Sequence, residues 1–378
     1  SQHGVATRPV DSSHSFPSSG GVISGSGGLI KTGAGEQILG GLNDYTGATA
    51  VNGGTLNLDF GGALTSDMTV VDGATFINSG TVTGHTTNSG TLTGSGIFNG
   101  AVALVNLSGG NATLGGQANG AVQNDGGTFN ASGVTGITSF SQTAGGQLNL
   151  LADLAPGSLS GAGGVNLDIY TLTVGASGAS TSFDGAIAGN GGLTKTGTGL
   201  FTLTGTNSYI GATVIDDGTL QLASTGTIAG EVVNNAALVS AGTLNGGLTN
   251  NGTAMLGNLV NGLIRNQSGT ISLTSDVTGN GRFDQSSGAL FDLALRNASF
   301  GSLSGDGTVD LRSGRLTLGS DDTNTSFAGT ITGTGGITKT GDGTMTLTGV
   351  STYGGTTFIN QGTLTLGDGG AIGGGLVA

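Results

Sequence analysis

A 32-residue phrase recurs three times in this chain, and a chain that repeats itself so closely must fold by repetition. Residues 27–58 read GGLIKTGAGEQILGGLNDYTGATAVNGGTLNL, residues 191–222 read GGLTKTGTGLFTLTGTNSYIGATVIDDGTLQL, and residues 335–366 read GGITKTGDGTMTLTGVSTYGGTTFINQGTLTL. The starts lie 164 residues apart (191 − 27) and then 144 apart (335 − 191). Similarity extends beyond the phrase. GSLSGAGGVNL at Gly157 matches GSLSGDGTVDL at Gly301, and TSFDGAIAGNGG at Thr181 matches TSFAGTITGTGG at Thr325, both again 144 apart. The chain is a large tandem duplication with drift.

The 20-residue difference between the two periods can be located. TNSGT at Thr87 aligns with TNNGT at Thr249, and NDGGT at Asn124 aligns with NQSGT at Asn266. From Asn88 to Asn124 is 36 residues (124 − 88); from Asn250 to Asn266 is 16 (266 − 250). A block of 20 has been gained or lost whole. A globular core rarely tolerates this. A solenoid does, because each coil touches only its neighbours.

The residue types agree. Glycine is 81 of 378 residues, yet there is no collagen period and only 3 prolines. Short runs such as LFTLT from Leu200 are strand-forming, and Gly, Asn, Asp and Ser punctuate them at turn spacing. No window carries a helical period. The expected fold is all-β, a parallel β-helix with about 20 residues and three short strands per coil. Some 18 coils at ~4.8 Å spacing would make a rod on the order of 85 Å long. Its narrow interior favours Val, Ile, Leu and Ala over rings; aromatics are 4%. Recurring N-x-G-T phrases at Asn78, Asn88, Asn250 and Asn360 read as strand-opening turns whose asparagines would stack into ladders. Residues 1–19 are a polar lead, disordered or foreign to the fold, and 20–378 form a single β-helix with modules at 27–58, 191–222 and 335–366.

The net charge of −13 argues against nucleic acid or an anionic membrane as partner. No apolar run is long enough for a membrane-spanning helix, and no signal peptide opens the chain. The absence of cysteine excludes disulfides.

The second phrase resembles the passenger-associated transport repeat of bacterial autotransporters, through GGL-x-KTG, G-x-x-TLTG, N-x-Y-x-G-x-T and x-GTL-x-L. The third phrase matches almost as well. The first departs, with EQILGGLNDY in place of the TLTG segment. The resemblance implies a right-handed β-helix, exported by type V secretion to a Gram-negative cell surface through its own C-terminal outer-membrane β-barrel. That barrel is not in this sequence, which ends at AIGGGLVA in coil-like residues and so reads as part of a longer passenger. The resemblance also implies an adhesin, with the repeats serving secretion and folding.

All three lysines, Lys31, Lys195 and Lys339, share one phrase position, and Tyr45, Tyr209 and Tyr353 share another 14 residues on. The expected roles are structural: a lysine stem along the coil with its ammonium in water, and a tyrosine ring over a corner. A ligand contact is the alternative. Catalytic chemistry is missing. His3 and His14 lie in the polar lead and His85 stands alone. Asp59, Asp67 and Asp72 have no basic partner nearby, and no serine-protease phrase occurs. Asp216–Asp217 and Asp321–Asp322 are at most partial calcium sites. No catalytic, cofactor or metal residue is assigned. Thr202-x-Thr204 and Thr346-x-Thr348 raise an ice-binding face, but the phrases are irregular.

The leading functional reading is an adhesin, binding itself on neighbouring cells in autoaggregation or biofilm, or a host surface protein or glycan. The alternative is a stalk that presents a distal binding domain. In either case the phrase reads as a locally specified module that nucleates folding. Excising one phrase should slow refolding, followed by fluorescence or circular dichroism, more than excising equal length elsewhere; equal rates would sink the idea.

Overall fold

The computed structural model describes residues 8–11 and 20–373. The expectation of a polar lead at 1–19 falls largely outside them, as do His3 and His14. Within that stretch Arg8–Asp11 forms a strand parallel to Leu29–Thr32. Among the described residues there is no helix; strands of 2 to 11 residues alternate with turns, stacked in about 18 coils. The chain divides into two compact units, Ser1–Gly191 and Gly192–Ala378.

In the first unit three ladders of parallel strands run along the stack. One passes from Leu29–Thr32 through Thr49–Val51, Met68–Val70 and Thr86–Asn88 to Thr181–Phe183. The second passes from Glu36–Leu39 through Thr55–Leu58, Thr75–Asn78, Thr91–Gly94, Asn111–Leu114, Thr128–Ala131 and Gln147–Leu150 to Gly164–Asn166 and Ala186–Ala188. A third, shorter-stranded ladder starts at Leu42–Asn43. Strand alternation turns every second side chain inward. In the second ladder Leu56, Phe76, Leu92, Ala112, Phe129, Leu148, Val165 and Ile187 pair successively and form one buried column. Each large apolar side chain so buried contributes about 1.5–3 kcal/mol.

The interior accepts rings more readily than its width suggested. Phe76, Phe98, Phe129, Phe140, Phe183, Phe201 and Phe283 are fully buried or nearly so. Phe129 pairs with Ala112 in the coil before it, whose small side chain leaves volume for the ring. Phe129 and Phe140 meet edge to face at 5.3 Å, and Phe283, Phe291 and Phe300 form a cluster with centroids 4.6 to 5.9 Å apart.

The 20-residue block is one coil. Asn88, Asn106 and Asn124 sit on three successive rungs, 18 residues apart, whereas Asn250 and Asn266 sit on adjacent rungs 16 apart. The first unit has Asn106 as its extra rung. Coil length thus varies at the corners while strand register holds.

The second unit shows how the repeats relate. The ladder that begins at Leu193–Lys195 runs through Thr213–Ile215, Val232–Asn234, Leu248–Asn250, Ile264–Asn266, Arg282–Gln285, Ser302–Gly305 and Thr325–Phe327. It meets the third phrase at Thr344–Leu347, one strand past Lys339. Lys339 belongs instead to the ladder that passes through Ala298–Phe300 and Arg315–Leu318. Within this unit the phrase has moved to another face of the stack. The two Thr-x-Thr phrases move with it: Thr202 and Thr346 lie in different ladders, so they do not share a flat face.

Removing residues 89–106 should delete one coil and leave a folded chain, with Asn88 stacking on Asn124. Removing nine residues, 89–97, should invert the inward–outward alternation and unfold it. Circular dichroism and limited proteolysis of both deletions check this; equal damage from both would contradict coil-wise stacking.

Candidate functional site

The repeated phrase builds the same buried polar arrangement in each copy. The lysine stems do enter the coil, but the heads do not reach water. Lys31, Lys195 and Lys339 are 0%, 0% and 1% exposed. Lys195 Nζ donates to the carbonyls of Thr196 (2.7 Å), Gly197 (2.6 Å) and Asp217 (3.2 Å). Lys31 Nζ donates to Thr32, Gly33 and Gly53, and Lys339 Nζ to Thr340, Gly341 and Gln361. The expectation of a wet ammonium is therefore corrected: the corner turns its carbonyls inward and replaces the solvent. Burial holds Lys195 and Lys339 below the ordinary lysine value, opposed by the negative charge of Asp217 at the first and of Asp322, Asp342 and Asp321 at the second.

The tyrosines are buried as well. Tyr209 Oη bonds Thr213 Oγ1 at 2.5 Å, Tyr353 Oη bonds Thr357 Oγ1 at 2.6 Å, and Tyr45 Oη bonds Thr49 Oγ1 at 2.5 Å, which continues to Ser66 Oγ at 2.7 Å. Burial pushes all three hydroxyls above their ordinary value. Neither the lysines nor the tyrosines are available to a ligand.

Asparagines supply the second recurrent device. Asn88 Nδ2 donates to Asn106 Oδ1, Asn106 Nδ2 to Asn124 Oδ1, and Asn124 Nδ2 to Gln142 Oε1, at 2.8, 2.9 and 3.1 Å. In the second unit Asn234, Asn250, Asn266 and Gln285 repeat the pattern at 2.7, 2.9 and 3.1 Å. These are the expected ladders, buried inside the coil. Of the four asparagines named, only Asn88 and Asn250 belong to them: Asn360 is exposed, and Asn78 is buried but donates to the Ile97 carbonyl and accepts from the Gly80 backbone.

Of the seven carboxylates named as candidates, six accept hydrogen bonds from turns or neighbouring coils, and Asp72 is exposed at a turn. Asp67 accepts from the His85 backbone, Asp59 from that of Phe60, Asp217 from that of Gly218, and Asp322 from that of Asp342. Asp216 accepts from Asn235 Nδ2, and Asp321 from Ser302 Oγ and Thr323. Among the described residues no group of three or more His, Cys, Asp or Glu is placed to hold a metal ion.

The open surface is the remaining candidate. On the second ladder of the first unit two outward rows run parallel to the buried column. One is Thr55, Thr75, Thr91, Asn111, Thr128 and Gln147; the other is Asn57, Ile77, Thr93, Thr113, Asn130, Asn149 and Asn166. From Thr55 to Ala188 no strand of this sheet carries a charge. Its amides are already aligned along the stack: Asn130 Nδ2 donates to Asn111 Oδ1 and Thr113 Oγ1, and Asn149 Nδ2 to Asn130 Oδ1, at 2.9 to 3.0 Å. Exposed positive charge lies elsewhere. Five of the six arginines fall between Arg265 and Arg315. Arg312 spans Asp292 and Asp310 at 2.9 and 3.1 Å, Arg282 meets Asp284, and Arg315 stacks on Phe358 at 4.7 Å.

Comparison with known proteins places the phrase. The passenger-associated-transport-repeat family matches at residues 29–58, 193–222 and 337–366. The chain is similar to the adhesin BmaC autotransporter of Brucella suis biovar 1 (strain 1330), 34% identical over 200 residues. That stretch is 50% of this chain and 4% of the relative, so the chain spans only a small part of that protein's length. No solved structure matches. The chain carries three passenger-associated transport repeats, and over half its length it is similar to an autotransporter adhesin.

The buried tyrosines and lysines act oppositely on stability as pH rises. A tyrosine whose folded value is raised contributes stability that is intact below pH 10.0 and lost above it. A lysine whose folded value is lowered adds stability as pH climbs toward 10.5. Tyr209→Phe should cost about 1 kcal/mol at pH 7, by orphaning the Thr213 hydroxyl. Above pH 10 the gap to the parent should narrow. Urea midpoints from pH 7 to 11 check this; a constant gap would contradict a buried, unionised Tyr209.

Proposed function

We propose that this chain is a non-enzymatic adhesive segment carried at the bacterial surface, and that the uncharged Thr/Asn face of its first unit joins a second copy of the chain. The observation that carries the reading is that face. Copies with net charge −13 repel one another. A sheet face without charge lets two of them approach where repulsion is least. Its donors and acceptors repeat at the ~4.8 Å strand spacing, so an identical face matches it rung by rung. Such a contact uses the same patch on both partners.

The family match and the autotransporter adhesin relative support export and an adhesive role. The size of the face sets the affinity. The eight strands from Thr55–Leu58 to Ala186–Ala188, at ~4.8 Å, give about 35 Å of length, and four residues give about 12 Å of width, on the order of 400 Å² per partner. That is below the ~800 Å² per partner of a stable pair. Single contacts are therefore weak, and adhesion between cells rests on many parallel contacts.

The test is settling of a non-aggregating bacterium that displays the chain on a generic outer-membrane barrel. Settling should be inhibited by the soluble chain and should strengthen with salt, which screens the net repulsion. Thr75→Lys with Thr128→Lys, three rungs apart on one outward row, places like charges on the face and should abolish settling with little change in thermal stability. Settling unaffected by the two lysines would overturn this face as the contact; no settling by the parent chain would overturn self-association and favour the stalk.

A further inference from the structure

We propose that each buried lysine is an ammonium staple, a charged head chelated by backbone carbonyls of two successive coils, which closes those coils together in a chain without cysteine. The geometry is the same three times. Two acceptors come from the corner that follows the lysine: Thr32 and Gly33, Thr196 and Gly197, Thr340 and Gly341. The third comes from the corner stacked on it, 22 residues further along: Gly53, Asp217 and Gln361. An ammonium has three N–H donors and a neutral amine two, so three convergent carbonyls select the charged form.

The next residue roofs the cage. Gly54, Gly218 and Gly362 have φ of +62°, +65° and +71°. A Cβ at Gly218 would lie 2.4 Å from the Gly197 oxygen and 2.9 Å from Lys195 Nζ. Corner and roof are thus shaped around the head group, which a stem merely filling space would not need. At Lys195 and Lys339 the head group's donors go to these carbonyls, and the negative charge of Asp217 at the first and of Asp322, Asp342 and Asp321 at the second adds to the field that favours the charged form. Removing the head leaves carbonyls buried without donors, and these resist opening far less well.

The staple is read first on the unaltered chain, labelled with ¹⁵N-lysine. With only three lysines, the spectrum should show three ammonium signals whose protons exchange slowly at pH 8; solvated ammonium protons exchange too fast to be seen. The second reading is Lys195→Met, which keeps the stem and removes the donors. Amide exchange across 193–222 should quicken about 100-fold, with the first unit unchanged. Ammonium protons that exchange as in free lysine would overturn the proposal, as would a methionine variant that exchanges like the parent. If that variant does not fold, the ammonium signals decide the matter alone.

Discussion

In a stack of coils every inward side chain faces its counterpart one rung away, at the ~4.8 Å set by the backbone ladder. What may be buried is decided by whether a residue can live beside a copy of itself. Aliphatic side chains can, which gives columns such as Leu56 to Ile187. Asparagine can, because each amide donates to the next and accepts from the one before. Lysine cannot. Two buried ammoniums ~4.8 Å apart would repel by about 3.5 kcal/mol even at an effective dielectric of 20. The lysines accordingly occur once per phrase, on widely separated coils, and each gives its head-group donors to backbone carbonyls.

The same constraint explains why coil length varies while the columns persist. Asn88, Asn106 and Asn124 are 18 residues apart and Asn234, Asn250 and Asn266 are 16 apart, yet the amide–amide distances stay between 2.7 and 2.9 Å. Corners absorb the difference and strands do not. A whole coil can then enter or leave, and the phrase can reappear on another face, as Lys195 and Lys339 do. A module that works on either face draws its stability from itself and the coils beside it.

Spacing made much of this legible. The 20-residue difference between periods revealed the coil, and the N-x-G-T recurrence pointed to the amide ladders through Asn88 and Asn250, though not through Asn78 or Asn360. The tyrosine's partner was also written in N-x-Y-x-G-x-T, since the threonine at the fourth following position is the residue that binds the hydroxyl. The lysine cage was not legible. Its acceptors are main-chain atoms, which leave no side-chain signature beyond the glycines at 33, 197 and 341, and a lysine in a Gly/Thr-rich turn reads as solvated by default. The rings inside the coil were also hidden, because their fit depends on small residues such as Ala112 on the adjacent rung, a relation that appears only once register is known.

Charge placement in the first unit follows from the same geometry. Among its described residues 20–191 the only cation besides histidine is Lys31, which is buried, while Asp44, Asp59, Asp67, Asp72, Asp153, Asp168 and Asp184 are exposed. None of these aspartates lies in a strand of the uncharged sheet, because a carboxylate repeated at strand spacing would repel its neighbours. They collect at turns and at the edges of other ladders, where each can accept a backbone N–H. The result is a neutral face within an acidic surface. In the proposed pair, a copy displaced sideways would bring its own aspartates toward like charge, whereas one aligned on the Thr/Asn rows would not. Repulsion outside the face would then set the alignment of such a pair, which hydrogen bonds nearly the same on every rung would leave undetermined.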